Sequence, residues 1–161
     1  MKKLFFFLLA AAVTVMAVSA CGAAMTAADR AAQEQTVQDN LSNKDYTILI
    51  QLMIPSVGPA RAVSNYSIKV SGDTLVSYLP FIGRAFNLPY GGGKGLDFTA
   101  KINEYHDIVN AGGGHDVIIN VANDEDVFFY TLNVSASGSA FLSVSSRNRE
   151  RISYTGEMYL P

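Results

Sequence analysis

The strongest constraint on this chain is a two-residue alternation of apolar and polar side chains that begins at Tyr46 and recurs in short bursts almost to the end. Tyr46, Ile48, Ile50, Leu52 and Ile54 alternate until Pro55 stops them. Tyr66, Ile68 and Val70 alternate with Ser67, Lys69 and Ser71, and Thr74–Leu79 returns after the turn Ser71-Gly72-Asp73. Further sets are Leu96-Phe98-Ala100-Ile102, Val117-Ile119-Val121, Phe128-Tyr130-Leu132-Val134, Ala140-Leu142-Val144 and Ile152-Tyr154-Gly156-Met158-Leu160. Period two is the mark of a strand with one buried face. The breaks hold Gly112-Gly113-Gly114, Asn123-Asp124-Glu125-Asp126, Ser137-Gly138-Ser139 and Arg147-Asn148-Arg149, all turn-forming.

About eight short strands with no helical period between them predict a mainly β chain, a single antiparallel barrel-like domain over 46–161. A lipocalin-like barrel is favoured and a two-sheet sandwich comes second. Leu49 and Met53 beside the Ile50 set, and Phe128 beside Phe129, put apolar residues on both faces. Closure or a second layer would bury them.

The amino terminus carries an address. Lys2 and Lys3 precede an uncharged apolar run, Leu4 to Ala17, and then Val18-Ser19-Ala20-Cys21. This is a basic, apolar, small-residue signal layout over 1–20. An aliphatic residue and two small ones before Cys match a lipobox, which makes Cys21 the expected lipidation site. Cys21 is the single cysteine of the chain, so no internal disulfide explains it. The apolar run is short for a membrane span, which needs ~20 residues. More than one acyl chain anchors stably. With no Asp and no acidic cluster after Cys21, the expected place is the periplasmic face of the outer membrane. Residues 21–45, rich in Ala, Gln and Asp, read as a partly helical tether. Val37 and Leu41 share a helical face, but no continuous apolar stripe supports burial.

Removing residues 1–20 also removes Lys2 and Lys3. The 12 basic against 14 acidic side chains of the whole chain become 10 against 14. An acidic balance excludes nucleic acid as the expected partner, because phosphate binding needs a basic face.

Tyr78–Gly95 is the one long irregular segment. It holds two prolines, five glycines, four aromatics and Arg84. Loops this long in a small domain are usually functional or disordered, and the apolar content argues against disorder. It reads either as a structural loop closing one barrel end or as a binding rim of Tyr78, Phe81, Arg84, Phe86 and Tyr90. In the second reading the aromatics present flat surface and Arg84 pairs an anionic group.

Other candidates are weaker. Gly91-Gly92-Gly93-Lys94-Gly95 lacks the Ser/Thr and the helix of a phosphate loop. His106-Asp107 and His115-Asp116 could bind metal or orient a base, yet two histidines without a third spaced ligand make a poor metal set. Both flank the Gly112–Gly114 turn, where polar residues are expected anyway. No Gly-x-Ser-x-Gly elbow occurs. No cofactor, metal or catalytic residue is expected. Asp73-Thr74-Leu75 resembles a short O-glycosylation acceptor of exported Bacteroidetes proteins, which makes Thr74 a candidate acceptor.

The run from Tyr66 to Gly93 resembles a family of Bacteroidetes lipoproteins catalogued as domain of unknown function 4251. Tyr78-Leu79-Pro80, Gly83-Arg84-Ala85 and Pro89-Tyr90-Gly91-Gly92-Gly93 follow Val70-Ser71-Gly72-Asp73 in the family's order. Gly138 to Met158, with Arg147-Asn148-Arg149, is similar to the family's ending. The resemblance spans most of Tyr46–Leu160. It implies an envelope lipoprotein and no assigned activity.

The leading expectation is therefore a non-enzymatic binding or structural module on a lipid anchor, meeting an envelope protein, glycan or small apolar ligand. The second is a carrier of a small apolar or lipid-like ligand in a hollow barrel. The third is a hydrolase built on a His-Asp pair.

Overall fold

The computed structural model describes residues 25–87 and 93–160. Cys21 and Tyr90 lie outside them. One helix, α1 (Ala27–Ser42), precedes eight strands: β1 (Asp45–Pro55), β2 (Arg61–Ser71), β3 (Thr74–Leu79), β4 (Leu96–Val109), β5 (His115–Ala122), β6 (Val127–Val134), β7 (Ser139–Ser146) and β8 (Ile152–Met158). Each strand pairs antiparallel with its sequence neighbour, and β8 returns to β1 through Ile48↔Met158 and Ile50↔Gly156, closing a barrel. The barrel expectation holds, and closure leaves no complete edge strand.

Alternation decides the two faces. Leu75, Ser77 and Leu79 of β3 point inward, as do Val117, Ile119 and Val121 of β5 and Phe128, Tyr130, Leu132 and Val134 of β6. The apolar face is thus the inner one, the reverse of a barrel that crosses a membrane with its strands. Among the described residues no helix is long and apolar enough to cross a membrane.

Two bulges break the simple alternation. In β1 the register shifts between Ile50 and Leu52, so Met53 turns inward and Leu52 and Ile54 are only partly covered. An extra residue on one strand reverses the faces of everything after it. The bulged backbone presses on β8, where a Cβ on Gly156 would run into the Leu49 carbonyl oxygen. Only glycine fits there. Leu49 and Phe129 stay half-exposed on the outer wall. Closure therefore does not bury both faces, contrary to the expectation.

The interior is filled by side chains that meet across it. The Tyr130 hydroxyl donates to Ser77 Oγ at 2.9 Å, joining β6 to β3, and the Phe98 and Phe128 rings stack at 4.8 Å past β5. Toward one end, the space between Phe81, Leu96, Phe128, Val144 and Ile152 has no room for a water molecule. A ligand pocket needs ~300 Å³ or more. Aromatic and branched residues occupy the lumen at this point themselves, as suits so narrow a barrel.

The expected partly helical segment forms α1, and it packs on the barrel although no continuous apolar stripe runs along it. Val37 is 1% and Leu41 0% exposed. The Gln33 amide donates to the Ser137 carbonyl at 2.8 Å, and the Tyr105 hydroxyl to the Leu41 carbonyl at 3.4 Å. Two apolar side chains four apart suffice because they meet a barrel mouth rather than a flat sheet. The helix begins on a capping box. Asp29 N–H donates to Thr26 Oγ1 at 3.1 Å, and Thr26 N–H returns to Asp29 Oδ2 at 3.0 Å. The Thr26 hydroxyl and N–H hold the Asp29 carboxyl below its ordinary range. The barrel thus has a helix end, with α1 and the turns at 72–73, 110–114 and 135–138, and a loop end, with 56–60, 80–87, 93–95, 123–126 and 147–151.

Candidate functional site

The loop end is built around the segment after β3. Pro80 carries no backbone donor, but its carbonyl accepts from the Tyr154 hydroxyl at 2.7 Å, which carries the chain over the barrel mouth. Burial first, and then the neighbouring Tyr130, push the Tyr154 hydroxyl far above its ordinary pKa. Phe81 turns down against the core, and the Arg149 guanidinium lies over its ring at 5.7 Å.

The segment then pairs with the β7–β8 turn. Phe86 N–H donates to the Asn148 carbonyl at 2.7 Å and Glu150 N–H to the Arg84 carbonyl at 2.9 Å, with Ala85 bridged to Arg149. Arg84 N–H donates to Glu150 Oε2 at 3.0 Å. The far side of the loop is held by the β5–β6 turn. Lys94 N–H donates to both Glu125 carboxylate oxygens, at 3.0 and 3.2 Å, and Arg149 Nη2 donates to Glu125 Oε2 at 3.4 Å. Gly93 has φ +69°, and a Cβ there would meet the same carboxylate. Asn148 N–H donates to Asp126 Oδ2 at 3.3 Å, and Asn123 Oδ1 accepts from Glu125 and Asp126 N–H, both at 2.9 Å.

The four rim candidates among the described residues, Tyr78, Phe81, Arg84 and Phe86, do not form one surface. Phe81 is part of the lid. Tyr78 stands on the outer wall of β3, half-exposed, its ring 5.0 Å from that of Tyr66. Arg84 and Phe86 are the exposed pair, with the Arg84 side chain 82% and Phe86 67% exposed. Arg84 Nε is 3.9 Å from Glu150 Oε1, a loose surface ion pair.

Sequence reasoning missed the pins: Glu125, Asp126, Asn148, Arg149 and Glu150. Asp124-Glu125-Asp126 reads as a turn-like charge run, yet Asp126 is buried, as is Arg149. The signal was Arg147-Asn148-Arg149, which the sequence offers as a turn and as part of the ending that resembles the family. Internalising those acids has an electrostatic result. Glu125, Asp126 and Glu150 are engaged, so Arg61, Arg84, Lys94, Arg147 and Arg151 stand exposed at this end against two exposed carboxylates, Asp97 and Asp124. Arg30 is the only arginine placed elsewhere.

The histidines sit at the helix end and do not come together. The bulge between Ile102 and Glu104 turns Asp107 toward the interior, where its Oδ1 lies 2.8 Å from Nδ1 of the buried His115. His106 is exposed on the opposite face of β4. Asp116 accepts from the Asn133 amide at 2.6 Å. The sequence-adjacent His-Asp pairs are therefore not the pairs that form. Close by, burial, then Tyr105, then Asp107 raise the Tyr46 hydroxyl well above its ordinary range. Among the described residues no group of three or more His, Cys, Asp or Glu side chains could hold a metal ion. Thr74 is exposed where the β2–β3 hairpin enters β3.

Comparison with known proteins agrees with this architecture. The family model described as "Domain of unknown function (DUF4251)" matches residues 28–158, a range that takes in nearly all of α1. A crystal structure of a DUF4251 family protein from Bacteroides eggerthii is similar to this chain, with a TM-score of 0.58 and 14% identity, over 80% of this chain and 90% of that one. At that identity the likeness speaks for the fold. No curated protein matches the chain.

Proposed function

We propose, from the premise that this chain belongs to the DUF4251 family, that it is a non-enzymatic lipoprotein of the cell envelope whose loop end binds an anionic polymer. The lipobox at Cys21 supports the anchor. The observation that carries the binding reading is the exposed Arg84–Phe86 pair on a loop that is fastened on both sides. A filled barrel offers no interior to a ligand, so recognition falls to the outer surface. There Arg84, Arg147, Arg151 and Arg61 present planar guanidinium groups, and Phe86 presents a ring. Guanidinium forks pair carboxylates and phosphates, and hydrogen bonds that already hold the backbone at Arg84, Phe86 and Lys94 lower the ordering cost of binding.

Titration calorimetry of the purified domain with polygalacturonate at low salt, against neutral dextran, tests the reading. Binding to the acidic polymer alone, weakened by salt and lost in an Arg84→Ala/Arg147→Ala/Arg151→Ala variant, is the expected result. Equal heats for dextran, or full binding by the variant, would refute it.

A further inference from the structure

We infer that the helix end of the barrel rests against the membrane that carries the Cys21 lipid, with the arginine-bearing loop end held away from it. The inference depends on the lipoprotein reading proposed above, and it takes a zwitterionic bilayer surface as the partner.

The first observation is the docked helix. A free spacer of residues 21–45 would let the domain wander far from its lipid in any orientation. With α1 fixed on the barrel by Val37, Leu41 and the Gln33–Ser137 bond, the folded body begins at Thr26. Only four peptide units join Cys21 to Met25. Extended chain covers at most ~3.6 Å per residue, so the reach is about 14 Å. The barrel is longer than this: strands of this length, tilted in a closed sheet, rise roughly 20–25 Å. A lipid inserted in the bilayer therefore keeps the helix end close and cannot bring the loop end down without swinging the body on its side.

The second observation is what the helix end exposes. Beside the start of α1, Met25, Leu49, Tyr159 and Leu160, with Gln33, Gln51 and Glu157 among them, line a groove of about 500 Å³ that runs from the helix end onto the outer wall of β1 and β8; Met25, Leu49 and Tyr159 are each about half-exposed. At the same end of the barrel, Ile108 and Val109 are exposed at the end of β4, beyond the last β3–β4 pair, Thr74↔Lys101. Apolar and aromatic side chains of this kind suit the headgroup boundary. The outer face of α1 carries Asp29, Glu34 and Asp39 against Arg30. Contact thus falls on the apolar points flanking the helix, and the acidic helix face disfavours an anionic surface.

The test uses full-length protein extracted from a bacterial envelope and reconstituted in phosphatidylethanolamine/phosphatidylcholine vesicles. Intact mass first reports whether Cys21 carries lipid. Bimane is then attached at Val109→Cys, Tyr159→Cys or Arg147→Cys, and headgroup spin-labelled lipid is the quencher. Contact quenching dies out over less than the barrel's length, so quenching at 109 and 159 at least about two-fold stronger than at 147 is expected. Lipidated protein with equal quenching at the three sites, or the strongest at 147, overturns the inference while the lipoprotein reading stands. An unmodified Cys21 in envelope-extracted protein overturns both.

Discussion

The Tyr130 hydroxyl donates across the barrel interior to Ser77 Oγ at 2.9 Å, and Ser77 donates onward to the Leu96 carbonyl at 2.8 Å. All of this lies in a wall of apolar side chains, where an unpaired polar atom is costly. Tyr130→Phe removes one bond and leaves Ser77 paired, a loss of about 1 kcal/mol. Ser77→Ala strands the Tyr130 hydroxyl and costs more, about 2 kcal/mol. The double variant should cost less than the sum, because it no longer buries an unpaired hydroxyl. Urea unfolding of the four proteins measures the cycle.

Leu41→Ala distinguishes a docked helix from a tether. Leu41 is fully buried between α1 and the barrel mouth. Truncation should destabilise the domain by roughly 2–3 kcal/mol, in the lower part of the range for buried leucines. An unchanged denaturant midpoint would mean that α1 moves free of the barrel in solution.

The loop separates into residues that hold it and residues that face outward. Arg149→Met removes a buried cation that binds Glu125 and covers Phe81, and should cost roughly 3 kcal/mol. Arg84→Ala, at an exposed side chain, should shift stability by less than about 0.5 kcal/mol. Thermal unfolding of the two variants checks the contrast. If Arg84→Ala proved as damaging as Arg149→Met, the outer face would have to be counted as scaffold.

Buried tyrosines make the fold sensitive to alkali. Burial raises the hydroxyls of Tyr46, Tyr130 and Tyr154 above their ordinary value of 10.0. Below pH 10 both folded and unfolded chains keep these protons, and the stability is fully present. Above pH 10 the unfolded chain loses protons that the folded chain retains, so stability falls as pH rises toward the folded pKa values. The slope approaches ~1.4 kcal/mol per pH unit for each tyrosine. Urea midpoints from pH 9 to 12 should decline, and Tyr130→Phe should flatten the decline. Tyrosinate absorbance from these rings should appear only with unfolding.

Thr74 stands exposed at the tip of the β2–β3 hairpin. Protein expressed in a Bacteroidetes host should carry added mass on the peptide containing Thr74, and Thr74→Ala should abolish it. An unmodified peptide from that host would remove the site.

The sequence by itself determined the class of fold. Eight bursts of period two, separated by Gly- and Asx-rich turns, place one face of every strand in the core, and short connections leave each strand beside its neighbour. It also carried the family, through Tyr78-Leu79-Pro80 and the motifs around it. Tertiary structure alone decided the rest, because those features depend on registers and contacts with no local signature. The bulge in β1 turned Met53 inward, and the one in β4 brought Asp107 to His115 instead of to its sequence neighbour His106. Val37 and Leu41 are too few to announce a buried helix, yet they find a barrel mouth to fill. Glu125 and Arg149 lie 24 residues apart, and nothing local shows that they pair or that Arg149 is buried against the Phe81 ring. The rim divided for the same reason. On a loop, the packing beneath decides which aromatic faces the core, and the alternation that sorts the strands ends at Leu79.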